Sequence, residues 1–149
     1  MIFTEKTFRE LTTQDLFEIY RLRAKVFVVE QNCVYQDVDE KDLKATHLMM
    51  SDGTELVGYA RLLPPGVSYN EASVGRVVVE KKFRANGSGR MLMNYCIKKT
   101  AELFRCDEIV ISAQTYLQRF YESMGFKTEG DQYPEDDIPH IRMRWKKSG

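Results

Sequence analysis

Residues 76–93 read R-V-V-V-E-K-K-F-R-A-N-G-S-G-R-M-L-M, and their character changes in the middle. The β-branched run Val77–Val79 gives way to charged residues, then to R-x-x-G-x-G, then to a segment of helical pattern. A strand that hands over to a helix through a glycine turn is one unit of an α/β sheet. Gly87 and Gly89 let the backbone turn so that its N–H groups converge, and the helix that follows adds the positive end of its dipole. Arg84 and Arg90 supply charge beside the turn. The run Arg84, Ala85, Asn86, Gly87, Ser88, Gly89, Arg90 therefore reads as an anion site suited to phosphate. A ligand-free turn would use the same residues, so that alternative stays open at this point. The dinucleotide fingerprint fits badly because its third glycine would fall at Leu92. The P-loop fits badly because G-S-G-R-M lacks its G-K-[ST] ending.

Working outward, Ala72–Glu80 is the strongest strand. The apolar positions Leu92, Met93, Cys96, Ile97, Leu103 and Phe104 make one arc of a helix that begins at Ser88. Glu108–Ala113 is a second β-branched strand, and Thr115–Met124 a helix stopped by Gly125. Phe126–Gly130 and His140–Lys146 read as closing strands around a polar loop, Asp131–Pro139. Upstream, Ile2–Phe8 reads as a short strand. Thr12 and Thr13 offer caps for a helix bearing Leu16, Ile19, Tyr20, Arg23, Val26 and Phe27 on one face, which gives way near Gln31-Asn32. Thr46–Ser51 and Leu56–Leu63 form a hairpin turned at Asp52-Gly53. The order is β-α-β-β-β-α-β-α-β-β, an α/β pattern with a mixed sheet.

The chain has 149 residues, which reads as one domain over 1–149, of a size that buries about 70% of its unfolded surface. Lys+Arg and Asp+Glu both number 22, which argues against broad electrostatic binding to nucleic acid or anionic membrane. No apolar run reaches a membrane span and the N-terminus lacks a signal-peptide pattern. Cys33, Cys96 and Cys106 are odd in number with no C-x-x-C, so the reading is a cytoplasmic protein with reduced thiols. Asp37, Asp39 and Asp42 suggest a calcium loop only superficially, since an EF-hand needs glycine where Asp42 stands.

A second constellation is A-Q-T-Y-L-Q-R-F-Y-E-S-M-G-F, Ala113–Phe126, in which Leu117, Phe120 and Tyr121 share a face. Alone it reads as a core helix with a tyrosine at its edge. Together the two stretches resemble motifs A and B of the GNAT N-acetyltransferase superfamily. Arg84, Gly87 and Gly89 match its phosphate loop, and Tyr121, Glu122, Gly125 and Phe126 its later strand-helix. Gln114 and Leu117 depart from the usual asparagine and alanine. Leu22–Asp42, His47-Leu48, Gly75–Val79 and Ile138–Met143 further resemble the ElaA-like subfamily.

The resemblance implies a GNAT fold, a mixed sheet splayed between the strands Ala72–Glu80 and Glu108–Ala113, flanked by helices, with acetyl-CoA across the splay. It implies that Val77, Val78 and Val79 hold pantetheine and aim an N–H at the thioester carbonyl. The Arg84–Arg90 amides would hold pyrophosphate, Gln114 would offer an amide to pantetheine, and Tyr121 would be the general acid. Glu30, His47 and His140 are placed on the acceptor side, facing a small-molecule or peptide amine. The acidic stretch Asp37–Asp42 would suit a cationic amine there, a solvated loop being the plainer account. The rival is a non-catalytic acyl-CoA-binding module, and a homodimer is left open.

Overall fold

The computed structural model describes residues 1–148. Its strands and α-helices run β1 (Ile2–Thr7), α1 (Thr13–Arg23), α2 (Lys41–Lys44), β2 (Thr46–Ser51), β3 (Leu56–Leu63), β4 (Ser73–Val79), α3 (Ser88–Phe104), β5 (Glu108–Gln114), α4 (Gln118–Glu122), β6 (Phe126–Glu135) and β7 (Ile138–Lys146). Strands β1 to β4 pair antiparallel in chain order, and β5, β7 and β6 make a second antiparallel sheet. The two sheets meet through one parallel bridge, Ala72 to Ile109.

Burial on both faces explains why β2 and β3 are nearly continuous apolar runs. Leu48, Met50, Leu62 and Val79 face α3 with Leu92 and Met93, in a core that extends through Ile109, Ile111 and Met143. Met49, Tyr59 and Val78 face the other way, against Ile19, Leu22 and Val26. Gly58 sets how closely α3 can approach. A Cβ there would stand 2.9 Å from Met50 Cε, 3.1 Å from the Val78 carbonyl oxygen and 3.2 Å from Leu92.

Helix α1 starts in a reciprocal cap: Thr12 Oγ1 accepts from the Asp15 N–H, and Asp15 Oδ2 from the Thr12 N–H, both at 3.0 Å. After Arg23 the coil widens into a π-helical stretch, Ala24–Glu30. The N–H groups of Gln31 and Cys33 then reach five residues back, to Val26 and Val28, both at 3.0 Å.

Two sequence expectations change. The polar loop 131–139 is mostly strand: β6 and β7 continue to a tight turn at Asp136-Asp137, both at positive φ (51° and 62°). Aspartate tolerates the left-handed conformation, so a D-D pair closes a hairpin without glycine. In the acidic stretch Asp37–Asp42, Asp37 and Asp42 are buried and all three aspartates are paired within the protein. Arg23 is fully buried and donates to Asp37 Oδ2 (2.9 Å) and to both oxygens of Asp42 (2.7 and 3.1 Å). Arg61 donates to Asp39 Oδ1 (2.6 Å) and Asp42 Oδ1 (3.1 Å), and Arg76 Nε stands 2.8 Å from Asp37 Oδ1. Three arginines on three elements thus balance three aspartates, and they fasten the segment after the π-helix onto the first sheet.

Candidate active site

Strand β4 carries one residue too many for its partner. Tyr59 pairs with Val78 and Arg61 with Gly75, so three steps on β4 answer two on β3. The extra residue makes a bulge at Arg76, whose φ is +49°. Bulges bend a strand and re-aim its backbone groups. Beyond Ala72, whose carbonyl accepts from the Val110 N–H at 3.0 Å, β4 and β5 make no further ladder among the described residues. They part into a cleft of about 600 Å³, lined by Val77, Val78 and Val79 on one side and by Ile111, Ser112 and Gln114 on the other.

The predicted anion loop closes one end of this cleft. Gly87 caps α3 at φ +85° with open space around it, and Ala85 is also left-handed, at +68°. Asn86 Oδ1 accepts from the Ser88 hydroxyl at 2.6 Å and from its N–H at 3.3 Å, which fixes the turn. Gly89 keeps Phe120 close, at 3.8 Å from where a Cβ would lie. Seventeen residues of α3 follow, so the positive end of a full helix dipole faces the cleft. The arginines line the cleft but are engaged with protein partners. Arg84 donates to the Val79 carbonyl (2.9 Å) and to both oxygens of Glu30 (2.6 and 3.2 Å), while Arg90 donates to Ser123 Oγ (2.9 Å). The loop thus presents backbone amides and the helix end beside two guanidinium groups that already hold protein partners.

Alternation along β5 divides the cleft by face. Ile111 and Ala113 belong to the core that includes Tyr121, so Ser112 and Gln114 point to the opposite face. Tyr121 lines the cleft, packed edge-on to Phe120 and Phe126 at centroid distances of 5.2 and 5.8 Å. Burial pushes its hydroxyl well above the ordinary tyrosine range, and that hydroxyl makes no hydrogen bond among the described residues. It is a protonated donor at neutral pH. Gln114 engages Gln31 across the cleft mouth through a reciprocal amide pair, 3.4 Å each way.

The three acceptor-side candidates separate. Glu30 lines the cleft, but the Arg84 hydrogen bonds hold its carboxyl below the usual carboxylate range and tether it to the loop. His47 stands apart from the cleft, fully buried in the first sheet, which corrects its placement on the acceptor side. Its Nε2–H donates to the Asp42 carbonyl (2.8 Å), its Nδ1 accepts from Tyr59 (2.6 Å), and burial holds it below the ordinary imidazole range. His140 does line the cleft. Its Nδ1–H donates to the Ile138 carbonyl at 2.7 Å, and Nε2 faces Glu135 Oε2 at 3.4 Å. Ser112 and Glu135 line it too, with Tyr133 hydrogen-bonded to Ser112, and no sequence motif marks them: Tyr133 and Glu135 fall in the stretch expected to be a loop. Recognising D-D as a hairpin turn would have brought them onto a strand.

A parted pair of parallel strands, a bulge beside the parting and a helix N-terminus at its mouth define the acyltransferase scaffold to which the sequence pointed. Residues 10–147 match the family model "Acetyltransferase (GNAT) domain", and the chain belongs to that family. Within it, the chain is similar to ElaA of Escherichia coli, 38% identical over 136 residues, 90% of this chain and 89% of that protein. A UPF0039 protein of Schizosaccharomyces pombe is 45% identical over 144 residues, 95% of each chain. The crystal structure of an acyl-CoA N-acyltransferase from Pseudomonas aeruginosa superposes with a TM-score of 0.90 at 38% identity, covering 97% of this chain and 99% of that one.

Proposed function

We propose that this protein is an N-acetyltransferase that moves an acetyl group from acetyl-CoA to a primary amine. The observation that carries this reading is Tyr121: a buried, protonated hydroxyl with no hydrogen-bond partner among the described residues, on the wall of a cleft between two strands that part beyond one bridge. A module that only bound the donor would have no use for that hydroxyl. The residues fit the donor. The cleft-side edge of β4 at Val77 and Val78, past the point where pairing with β5 ends, suits the amides of pantetheine, as a short added strand would. The open backbone at Gly87 and the α3 N-terminus suit pyrophosphate. For Gln114 to offer its amide to pantetheine, its pair with Gln31 must open. When bound, the donor supplies an activated acyl thioester.

The residues then have separate tasks. In this reading the bulge at Arg76–Val77, which lines the cleft, supplies the backbone N–H that stabilises the oxyanion as the amine attacks. Tyr121 gives its proton to the departing sulfur. Thermal shifts with acetyl-CoA, CoA, NAD and ATP test the cofactor, and thiol release with a panel of amines tests the reaction. Stabilisation by NAD or ATP but by neither CoA species would overturn the reading. Stabilisation by CoA species with no thiol release from any amine would assign the chain to acyl-CoA binding instead.

A further inference from the structure

On the face of the second sheet away from Tyr121, four polar side chains from three strands converge at the cleft. Ser112 Oγ on β5 is hydrogen-bonded to the Tyr133 hydroxyl and donates to Glu135 Oε1 at 3.1 Å. Glu135 Oε2 stands 3.4 Å from His140 Nε2, and His140 is nine-tenths buried. The height of this group along the cleft follows from the bridge at Ala72 and Ile109: three residues further on each parallel strand bring Gly75 level with Ser112. Gly75 directly precedes the bulge residue Arg76, and Glu135 lines the same cleft as Gly75, Arg76 and Val77. Tyr121 occupies the other face of the same strands. Acyl transfer to an amine needs a proton acceptor for the attacking nitrogen and a proton donor for the departing sulfur, and the two faces offer one of each.

We propose that Glu135 receives the acceptor amine in its ammonium form and, with His140, removes its proton. The tautomer of His140 supports this. Its Nδ1–H is held by the Ile138 carbonyl, so Nε2 can accept the proton that Glu135 collects. Ser112 and Tyr133 are positioning residues that hold the carboxylate toward the cleft. The proposal rests on the acyl-transfer reading above and names the acceptor class of that site: a cationic alkylamine. The ammonium nitrogen loses two protons in all. The first passes to the Glu135–His140 pair, and the freed lone pair forms the C–N bond. The C–S bond then breaks with its electron pair on sulfur, which takes a proton from Tyr121. The second nitrogen proton leaves through solvent and restores Tyr121. The balance is amide, free thiol and one proton released.

The titratable groups near Glu135 are His140 on β7, Tyr133 on its own strand and Tyr69 before β4, with Arg142 over the Tyr69 ring; Asp136 follows at the turn, where its carbonyl accepts from Cys33 Sγ at 3.4 Å. Arg142 is engaged over the Tyr69 ring and with Glu129, so it does not neutralise Glu135.

The test uses Glu135→Gln and His140→Asn in the full chain, with methylamine, n-butylamine, putrescine and lysine as probes. Each variant is first checked for an unchanged thermal shift with CoA, which reports folding and donor binding. At pH 7, Glu135→Gln should lower thiol release about 100-fold, raise KM for the best probe and weaken its calorimetric binding to the CoA-loaded protein. The deficit should shrink toward pH 10, where an alkylamine near its own pKa of about 10.4 arrives already deprotonated. His140→Asn should show the same recovery with a smaller change in KM. A wild-type rate in Glu135→Gln at pH 7, or a deficit that is the same at both pH values, overturns this assignment alone. CoA binding with no thiol release from any probe also overturns it, and absence of CoA binding by the wild type overturns the acyl-transfer reading with it.

Discussion

At the scale of single residues, the chain separates groups that need solvent from groups that need burial. Tyr121 was legible because a tyrosine in Y-E-x-x-G-F means something once a phosphate loop precedes it by 37 residues (84 to 121). The two histidines were not separable in sequence, since each stands alone among apolar neighbours; only the partners of their ring nitrogens distinguish His47 from His140. Removing the Tyr121 hydroxyl keeps the ring's edge contacts with Phe120 and Phe126. Tyr121→Phe should therefore leave CoA affinity unchanged and lower kcat by about 100-fold, the low end for acid–base catalysis, because a thiolate leaves readily. A variant with wild-type kcat, measured where chemistry limits the rate, would remove Tyr121 from the mechanism. Gly58 shows the opposite case, a residue defined by what it lacks. Gly58→Ala would press a methyl group on the Val78 carbonyl and on Leu92, both closer than 3.4 Å, and should cost about 1–3 kcal/mol in urea unfolding.

At the scale of elements, charge does structural work that periodicity could not reveal. The Asp37–Asp42 segment looks like a solvated loop in sequence because its counter-charges, Arg23, Arg61 and Arg76, lie 14 to 39 residues away on three other elements. Breaking such a cluster leaves charge stranded in the interior. Arg23→Ala uncovers both Asp37 and Asp42, and it should destabilise the fold by about 3–5 kcal/mol, read as a lower urea midpoint. Acid should loosen the same region in two stages. Burial lowers the pKa of His47, so the unfolded chain takes up a proton there more readily than the folded one. The stability this contributes is present above about pH 6.5 and falls as pH drops below it. Burial pushes Asp42 up, but the hydrogen bonds and charges of Arg23, with Arg61, outweigh it and hold the carboxyl below its usual range. Asp39 is held down likewise by Arg61. Their contribution is present above about pH 4 and is lost on further acidification. His47→Gln should flatten the first stage and leave the second, in unfolding midpoints measured from pH 8 to pH 4.

At the scale of the whole molecule, the element order and the hairpin of β2 and β3 could be read from apolar periodicity, but the divergence of β4 from β5 could not. Divergence is a matter of backbone pairing: it follows from one extra residue at Arg76 and from a ladder that stops at Ala72, and neither leaves a mark in composition. The two sheets consequently share a core of side chains, through Val74, Ile109, Ile111 and Met93, yet only one strand-to-strand bridge among the described residues. Backbone groups of Val77–Val79 on one side and of Ser112–Gln114 on the other are thus the places where hydrogen exchange should be fastest relative to their burial. An acyl-CoA that lies between them would satisfy those groups and join the sheets. A ligand at 100 times its Kd adds about 2.7 kcal/mol of stability. The gain in exchange protection should concentrate on Val77–Val79, Gly87–Arg90 and Ser112–Gln114, while β1 and the distant part of β2 change little. Protection spread evenly over both sheets, or confined to the β6–β7 hairpin, would show that the donor binds somewhere other than the parted strands.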